Sequence, residues 1–282
     1  MLTRLNSVRP TEQRKQGPGP PVAAGLRGAA VVCVAGDMMT KLALPEEGVA
    51  VACARKRATV AILLLVPAPT VGVLAGMVLF PDSAPGAAVF TLSKVWVLGL
   101  PLFWRLCVER QPLSLSPVRH GGIAVGIGSG LLIGGAILGA WGLFGAALIE
   151  RRTLVLGLER VGLTTPARFA VGALYWVTVN SVLEEFVWRW FCMTRAQCLL
   201  RPAAAVGAAA LFFTVHHTIA LQVYLDPVAV GVCSVGVFGG GAFWGWMYQR
   251  YGSVWPGVIS HALVDLCIFG LGAVLLFGSA VT

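Results

Sequence analysis

Glu184, Glu185 and Arg189, then Phe212 and His216, then His261 and Asp265, fall in three short segments that are otherwise strongly apolar. A charged side chain at membrane depth costs about 2.5–3.5 kcal/mol even on the lenient insertion scale, so ionisable residues placed there usually pair and serve a site. On a helix, Glu185 and Arg189 are four residues apart and share a face, whereas Glu184 is turned by about 100° from its neighbour. One carboxylate is thereby neutralised by the arginine. The other, less well paired, has the character of a general base. Taken alone, the trio equally suits a buried ion-pair cluster that only fixes helix packing.

The histidines weigh against that plainer reading. His216 and His217 sit in LFFTVHHTIA, one turn after Phe212 and Phe213 respectively, and His261 and Asp265 are one turn apart in VWPGVISHALVDL. Three of the chain's four histidines therefore share the C-terminal region with the acids. A lone histidine in such a span is more often a satisfied core residue, and of two adjacent ones at least one is expected to be so. A base, imidazoles and hydrogen-bond donors in a site where bulk water is limited suit hydrolysis. No serine or cysteine stands in a recognisable nucleophile setting, and there is no HExxH.

The elements that must position these residues are membrane helices. Residues are 57% hydrophobic and only 12% charged, with a mean hydropathy of +0.82, which places the chain among polytopic membrane proteins. Runs of about 20 apolar residues predict an all-α transmembrane bundle of about seven helices, at about 58–80, 87–107, 121–149, 170–193, 203–223, 228–248 and 254–278. Residues 1–57 read as a basic cytosolic segment, with nine of the 21 Lys and Arg and a GPGPP stretch at 17–21. A moderately apolar piece at 22–36 carries Arg27 and lacks the character of a signal peptide. Residues 58–278 form the transmembrane domain.

The net charge of +9 does not indicate nucleic acid, because the basic residues lie between and before the apolar stretches rather than along a groove with interleaved aromatics. They read as topology determinants and contacts to the lipid bilayer. With the N-terminus in the cytoplasm, the inner segments hold 15 Lys and Arg and the outer ones four, as the positive-inside rule prefers. If the source is bacterial, this is a multi-pass protein of the inner membrane. Arg151, Arg152, Arg160 and Arg168 conflict with that topology, which predicts either an amphipathic helix after span three or a span count wrong by one. Gly126, Gly130 and Gly134, and the pairs Gly236/Gly240 and Gly241/Gly245, predict close helix packing. The seven cysteines are scattered without a CxxC pair, so neither a disulfide framework nor a zinc knuckle is expected.

EEFVWR at 184–189 matches an EExxxR signature, FFTVH at 212–216 matches FxxxH, and RYGSVWPGVISHALVD at 250–265 matches a segment ending in HxxxN/D. Together they resemble the CPBP family (CAAX protease and bacteriocin-processing, or ABI), whose eukaryotic members are the Rce1 type II CAAX prenyl endopeptidases. The resemblance covers about residues 168–278. It implies a glutamate-dependent intramembrane endopeptidase in which Glu184 with His216 deprotonates water. Glu185 and Arg189 would support the base, and His261 with Asp265 would face the oxyanion. It implies a peptide or lipidated protein as substrate and no required cofactor. Zinc held by Glu and His is the secondary expectation.

Two departures from the family pattern stand out. Trp190 follows the arginine where many relatives have glycine, and Asp265 replaces an asparagine, although an ionised carboxylate cannot donate a hydrogen bond. Asp265 is therefore expected to act as a neutral donor or as the orienter of His261. The other classes open to the chain are a catalytically silent scaffold or immunity protein and, less favoured, a proton-coupled transporter, for which no internal repeat is visible.

Overall fold

The computed structural model describes residues 45–278, and the regular structure there is helical. The GPGPP stretch and the piece at 22–36 lie outside the described residues. Helix α1, Pro45–Leu65, begins ahead of the expected first span and contains Arg55, Lys56 and Arg57. It leads into α2, Pro67–Val73, which continues as a π-helical stretch at Leu74–Leu79. Helix α3, Ala84–Phe103, is capped by Ser83, whose hydroxyl accepts from the N–H of Gly86 at 3.1 Å. It packs back along α2 and ends in a π-helical turn, Trp104–Val108. Helix α4 is Ile123–Leu148.

Arg151–Arg160 forms a separate short helix, α5. At 10 residues it extends only about 15 Å, too short to cross a bilayer. It buries Gly157 and Leu158 on one side and exposes Arg151, Arg152 and Arg160, so the basic cluster belongs to an amphipathic helix rather than to a missing span.

Residues 166–196 then follow one helical path, α6, whose α-helical stretches Pro166–Leu174 and Ser181–Glu185 alternate with π-helical Tyr175–Asn180 and Phe186–Met193. Helices α7, Pro202–Leu221, α8, Pro227–Tyr251, and α9, Trp255–Phe277, complete the bundle. Each has proline at its start, where a missing N–H costs nothing. Gly252, at φ 64°, closes α8 in the left-handed conformation and lets α9 fold back.

Among the described residues, six helices are long and apolar enough to cross a membrane: Val51–Leu79, Ala84–Val108, Ile123–Gly145, Pro202–Leu221, Pro227–Tyr251 and Trp255–Phe277. The protein is therefore a multi-pass membrane protein, close to the seven spans expected. The remaining expected span, 170–193, is the α6 path, which holds Glu184, Glu185 and Arg189. Leu92, Leu132, Leu143, Val171, Val228, Val235 and Val274 face outward, a surface suited to lipid rather than water.

Helix packing follows the small residues. A Cβ added at Gly126 would lie 2.4 Å from the Pro256 carbonyl oxygen, and one at Gly130 would lie 2.8 Å from the Leu263 Cβ. Gly134 likewise meets Cys267, so the expected glycine stripe is the seam between α4 and α9. On α8, Gly241 and Gly245 approach α7, but Gly236 has open space beside it. Cys198 is disulfide-bonded, contrary to the expectation drawn from the scattered cysteines. Spacing along a chain does not show which thiols a fold brings within bonding distance.

Candidate active site

The five-residue helical stretch Ser181–Glu185, set between two π-helical segments, presents the acids toward α7, α8 and α9. π-Bulges inside helices occur frequently at functional sites because they re-aim side chains out of the regular register. Here the two adjacent glutamates receive different surroundings.

Glu185 is fully buried and fully engaged on one oxygen. Its Oε1 lies 3.1 Å from Arg189 Nη1 and 3.2 Å from His261 Nδ1. Arg189 also donates to the Gly241 carbonyl at 3.2 Å, and its guanidinium lies 4.8 Å from the Phe213 ring centre and 5.2 Å from that of Trp244. Gly257 makes room for this arrangement, because a Cβ there would sit 2.7 Å from Glu185 Oε2. A buried charge pair of this kind needs hydrogen bonds and ring faces around it to offset desolvation, and the site supplies them.

Glu184 makes no direct hydrogen bond among the described residues. Its Oε2 is buried without a partner and lies 3.7 Å from His261 Nε2, while Oε1 lies 4.0 Å from His217 Nε2. His261 is aligned by Glu185 at Nδ1 and by Trp244, whose indole stacks on it at 4.1 Å between ring centres, 16° from parallel. That indole is itself tied down, donating to Ser260 Oγ at 3.0 Å, and Ser129 of α4 reaches the same hydroxyl at 3.0 Å. His261 Nε2 is thus held between Glu184 and Asp265, whose Oδ2 is also 3.7 Å away.

The structure brings all six expected residues, Glu184, Glu185, Arg189, His216, His261 and Asp265, to one locus with His217. Within the histidine pair, sequence and distance part. His216 stacks on Trp188 with ring centres 5.3 Å apart, and its Nδ1 is 3.4 Å from the Phe212 carbonyl. His217 is the nearer imidazole to Glu184, and its Nδ1 lies 2.8 Å from the Phe213 carbonyl, which leaves Nε2 directed at the acid. We therefore expect His217→Ala to lower turnover more than His216→Ala when both are assayed at equal membrane abundance. Inactivation confined to His216→Ala would return the role to the residue read from the sequence.

Glu184, His216 and His217 are also the residues that could hold a metal ion, since one donor atom from each lies within 4.8 Å of the others. Carboxylate and imidazole suit zinc. A closed tetrahedral site with bonds of about 2.1 Å would, however, bring its donors to about 3.4 Å from one another. The 4.0 Å between Glu184 and His217 is wider than that.

Sequence reasoning missed the residues that hold the site rather than form it: Ser181, Trp188, Trp244 and Ser260. Serine and tryptophan in apolar helices carry no distinguishing signal until their neighbours are known.

Residues 166–267 match the family model described as type II CAAX prenyl endopeptidase Rce1-like. Comparisons with curated proteins and with solved structures give no match. The matched span supplies every carboxylate, guanidinium and imidazole of the cluster, so the likeness to the Rce1-like type II CAAX prenyl endopeptidases covers the whole candidate site.

Proposed function

We propose that the protein is an intramembrane endopeptidase that hydrolyses a peptide bond of a membrane-associated or lipidated substrate with water activated by Glu184. The observation that carries this reading is the asymmetry of the two glutamates. Each keeps one buried oxygen without a partner, but Glu185 is engaged at its other oxygen by Arg189 and His261, whereas Glu184 makes no direct hydrogen bond among the described residues and faces two imidazoles. An unsatisfied buried carboxylate oxygen calls for a polar partner, and in a hydrolase that partner is the attacking water.

The 4.0 Å between Glu184 Oε1 and His217 Nε2 is too long for a direct hydrogen bond and short enough for one water to touch both. Glu184 takes the water's proton as its oxygen attacks the scissile carbonyl carbon. The C–N bond then breaks, the proton passes to the departing amine, and the products are a carboxylic acid and an amine. His261, held at Nδ1 by Glu185, directs Nε2 toward the charge that develops on the carbonyl oxygen. Arg189 acts through Glu185 by keeping that carboxylate in place. Reading the N-terminus as cytoplasmic puts the exposed arginines of α5 on the opposite side.

Asp265 fits the role of neutral donor. The Ser181 hydroxyl has one proton but three acceptors in reach: the carbonyls of Trp176 at 3.0 Å and Val177 at 3.1 Å, and Asp265 Oδ2 at 3.0 Å. With the Ser181 hydroxyl placed at Oδ2, the carboxyl is fixed in position and its own proton, when present, stays available to the substrate. Asp265→Asn is therefore expected to retain most activity, and Asp265→Leu to lose about 10²–10³-fold, the usual effect of deleting an oxyanion donor. Equal inactivation by Asn and Leu would show that the negative charge itself is required.

The direct test is cleavage by the full chain, purified in detergent, of a peptide bearing an S-farnesyl cysteine near its C-terminus, in ¹⁸O-labelled water and with or without a zinc chelator. Label in the new carboxyl group and a rate indifferent to the chelator support the reading. A rate abolished by the chelator and restored by zinc overturns the metal-free mechanism. Absence of cleavage across such peptides favours the scaffold.

A further inference from the structure

Ser129 belongs to α4, outside the matched residues, yet it touches a side chain that frames His261. It stands in the glycine stripe of that helix, three residues after Gly126 and next to Gly130. A Cβ at Gly126 would lie 2.4 Å from the Pro256 carbonyl oxygen, and one at Gly130 would lie 3.0 Å from that of Ser260. Only glycine on both sides of Ser129 lets α4 come this close to the first turns of α9. The approach places the Ser129 hydroxyl 3.0 Å from Ser260 Oγ, with the Gly126 carbonyl of its own helix at 3.1 Å.

Ser260 is fully buried and immediately precedes His261. Its Oγ accepts from Trp244 Nε1 and from Ser129, each at 3.0 Å, which fills its two lone pairs. Trp244 thereby bridges two consecutive residues of α9, with its N–H on Ser260 and its ring face on His261, 4.1 Å between ring centres and 16° from parallel. The imidazole feels the consequence. Glu185 holds Nδ1 at 3.2 Å, but one hydrogen bond fixes one atom and leaves the ring able to rock about it. The indole face removes that freedom, and Nε2 stays 3.7 Å from both Glu184 and Asp265. We propose that Ser129 is a positioning residue for the reaction: from α4 it holds Ser260 Oγ where the Trp244 indole needs its acceptor, and so sets the plane in which His261 offers Nε2. This assignment rests on the protease reading above. It makes the segment before the matched residues part of the working site. A hydrogen bond that only joined two membrane helices would contribute little to stability, and the glycine stripe already supplies the packing.

The test compares Ser129→Ala, Ser129→Thr, Ser260→Ala and the Ser129→Ala/Ser260→Ala double variant as full chains in detergent, cutting the S-farnesyl peptide used above. Ser129→Ala is expected to lower kcat by about tenfold, as a small misplacement of a reacting group does, with KM within about twofold of wild type. Its unfolding midpoint should stay close to wild type, and Ser129→Thr, which keeps the hydroxyl, should recover most of kcat. Ser260→Ala should slow turnover as well, and the double variant should be no slower than Ser260→Ala alone, because both changes break one chain of contacts. A Ser129→Ala protein with wild-type kcat overturns the assignment, and so does a double variant slowed by the product of the two single effects. A loss of kcat that comes with a clearly lowered unfolding midpoint assigns Ser129 to packing alone and overturns it too. A wild type that leaves the peptide uncut overturns the protease reading and this assignment with it, a result distinct from equal turnover by wild type and Ser129→Ala.

Discussion

Glu184→Gln is expected to yield a folded, membrane-inserted protein whose turnover falls by about 10²–10⁴-fold, the usual loss on removing a positioned base. The change preserves side-chain volume and leaves the buried Glu185–Arg189 pair intact. The expected signature is therefore a thermal unfolding midpoint close to wild type alongside an uncut polypeptide that accumulates in membranes. Cleavage of a natural substrate at near-normal rate would remove Glu184 from the mechanism.

Glu185→Gln is expected to act on stability as well as activity. Glu185 and Arg189 are 0% and 2% exposed, and removing one charge leaves the other buried without compensation, at a cost of about 3–5 kcal/mol. His261 would lose the anion that orients Nδ1 at the same time. Yield in detergent and the unfolding midpoint should both drop, well beyond the effect of Glu184→Gln. Pairing Glu185→Gln with Arg189→Met should recover part of the lost stability but none of the activity, since a volume-matched neutral pair tolerates burial better than a single charge. A Glu185→Gln protein that melts like the wild type would mean that Arg189 is held by the Gly241 carbonyl and the aromatic faces alone.

Much of the bundle was legible because membrane spans announce themselves through composition. The spans near 87–107, 203–223, 228–248 and 254–278 match helices within a few residues, since proline and glycine mark their ends. The stretch around 150–170 was legible only as a conflict of charge. Its resolution into the short helix Arg151–Arg160 needed the backbone, because ten residues of mixed character carry no reliable period. The pairing of Glu185 with Arg189 was readable from a separation of four. That the partner of Glu185 would also be His261, 76 residues away, was not.

Sequence alone determined the kind of protein and the inventory of its chemistry: an apolar helical chain whose few intramembrane charges cluster toward its C-terminal part. Composition and local spacing suffice for that, because bilayer thickness and helix pitch are fixed lengths against which any chain can be measured. Tertiary structure decided which of two neighbouring groups does what. Glu184 and Glu185 are identical in type and adjacent in position, as are His216 and His217, and only the approach of α7 and α9 gives Glu185 a histidine at hydrogen-bond distance and leaves Glu184 facing imidazoles.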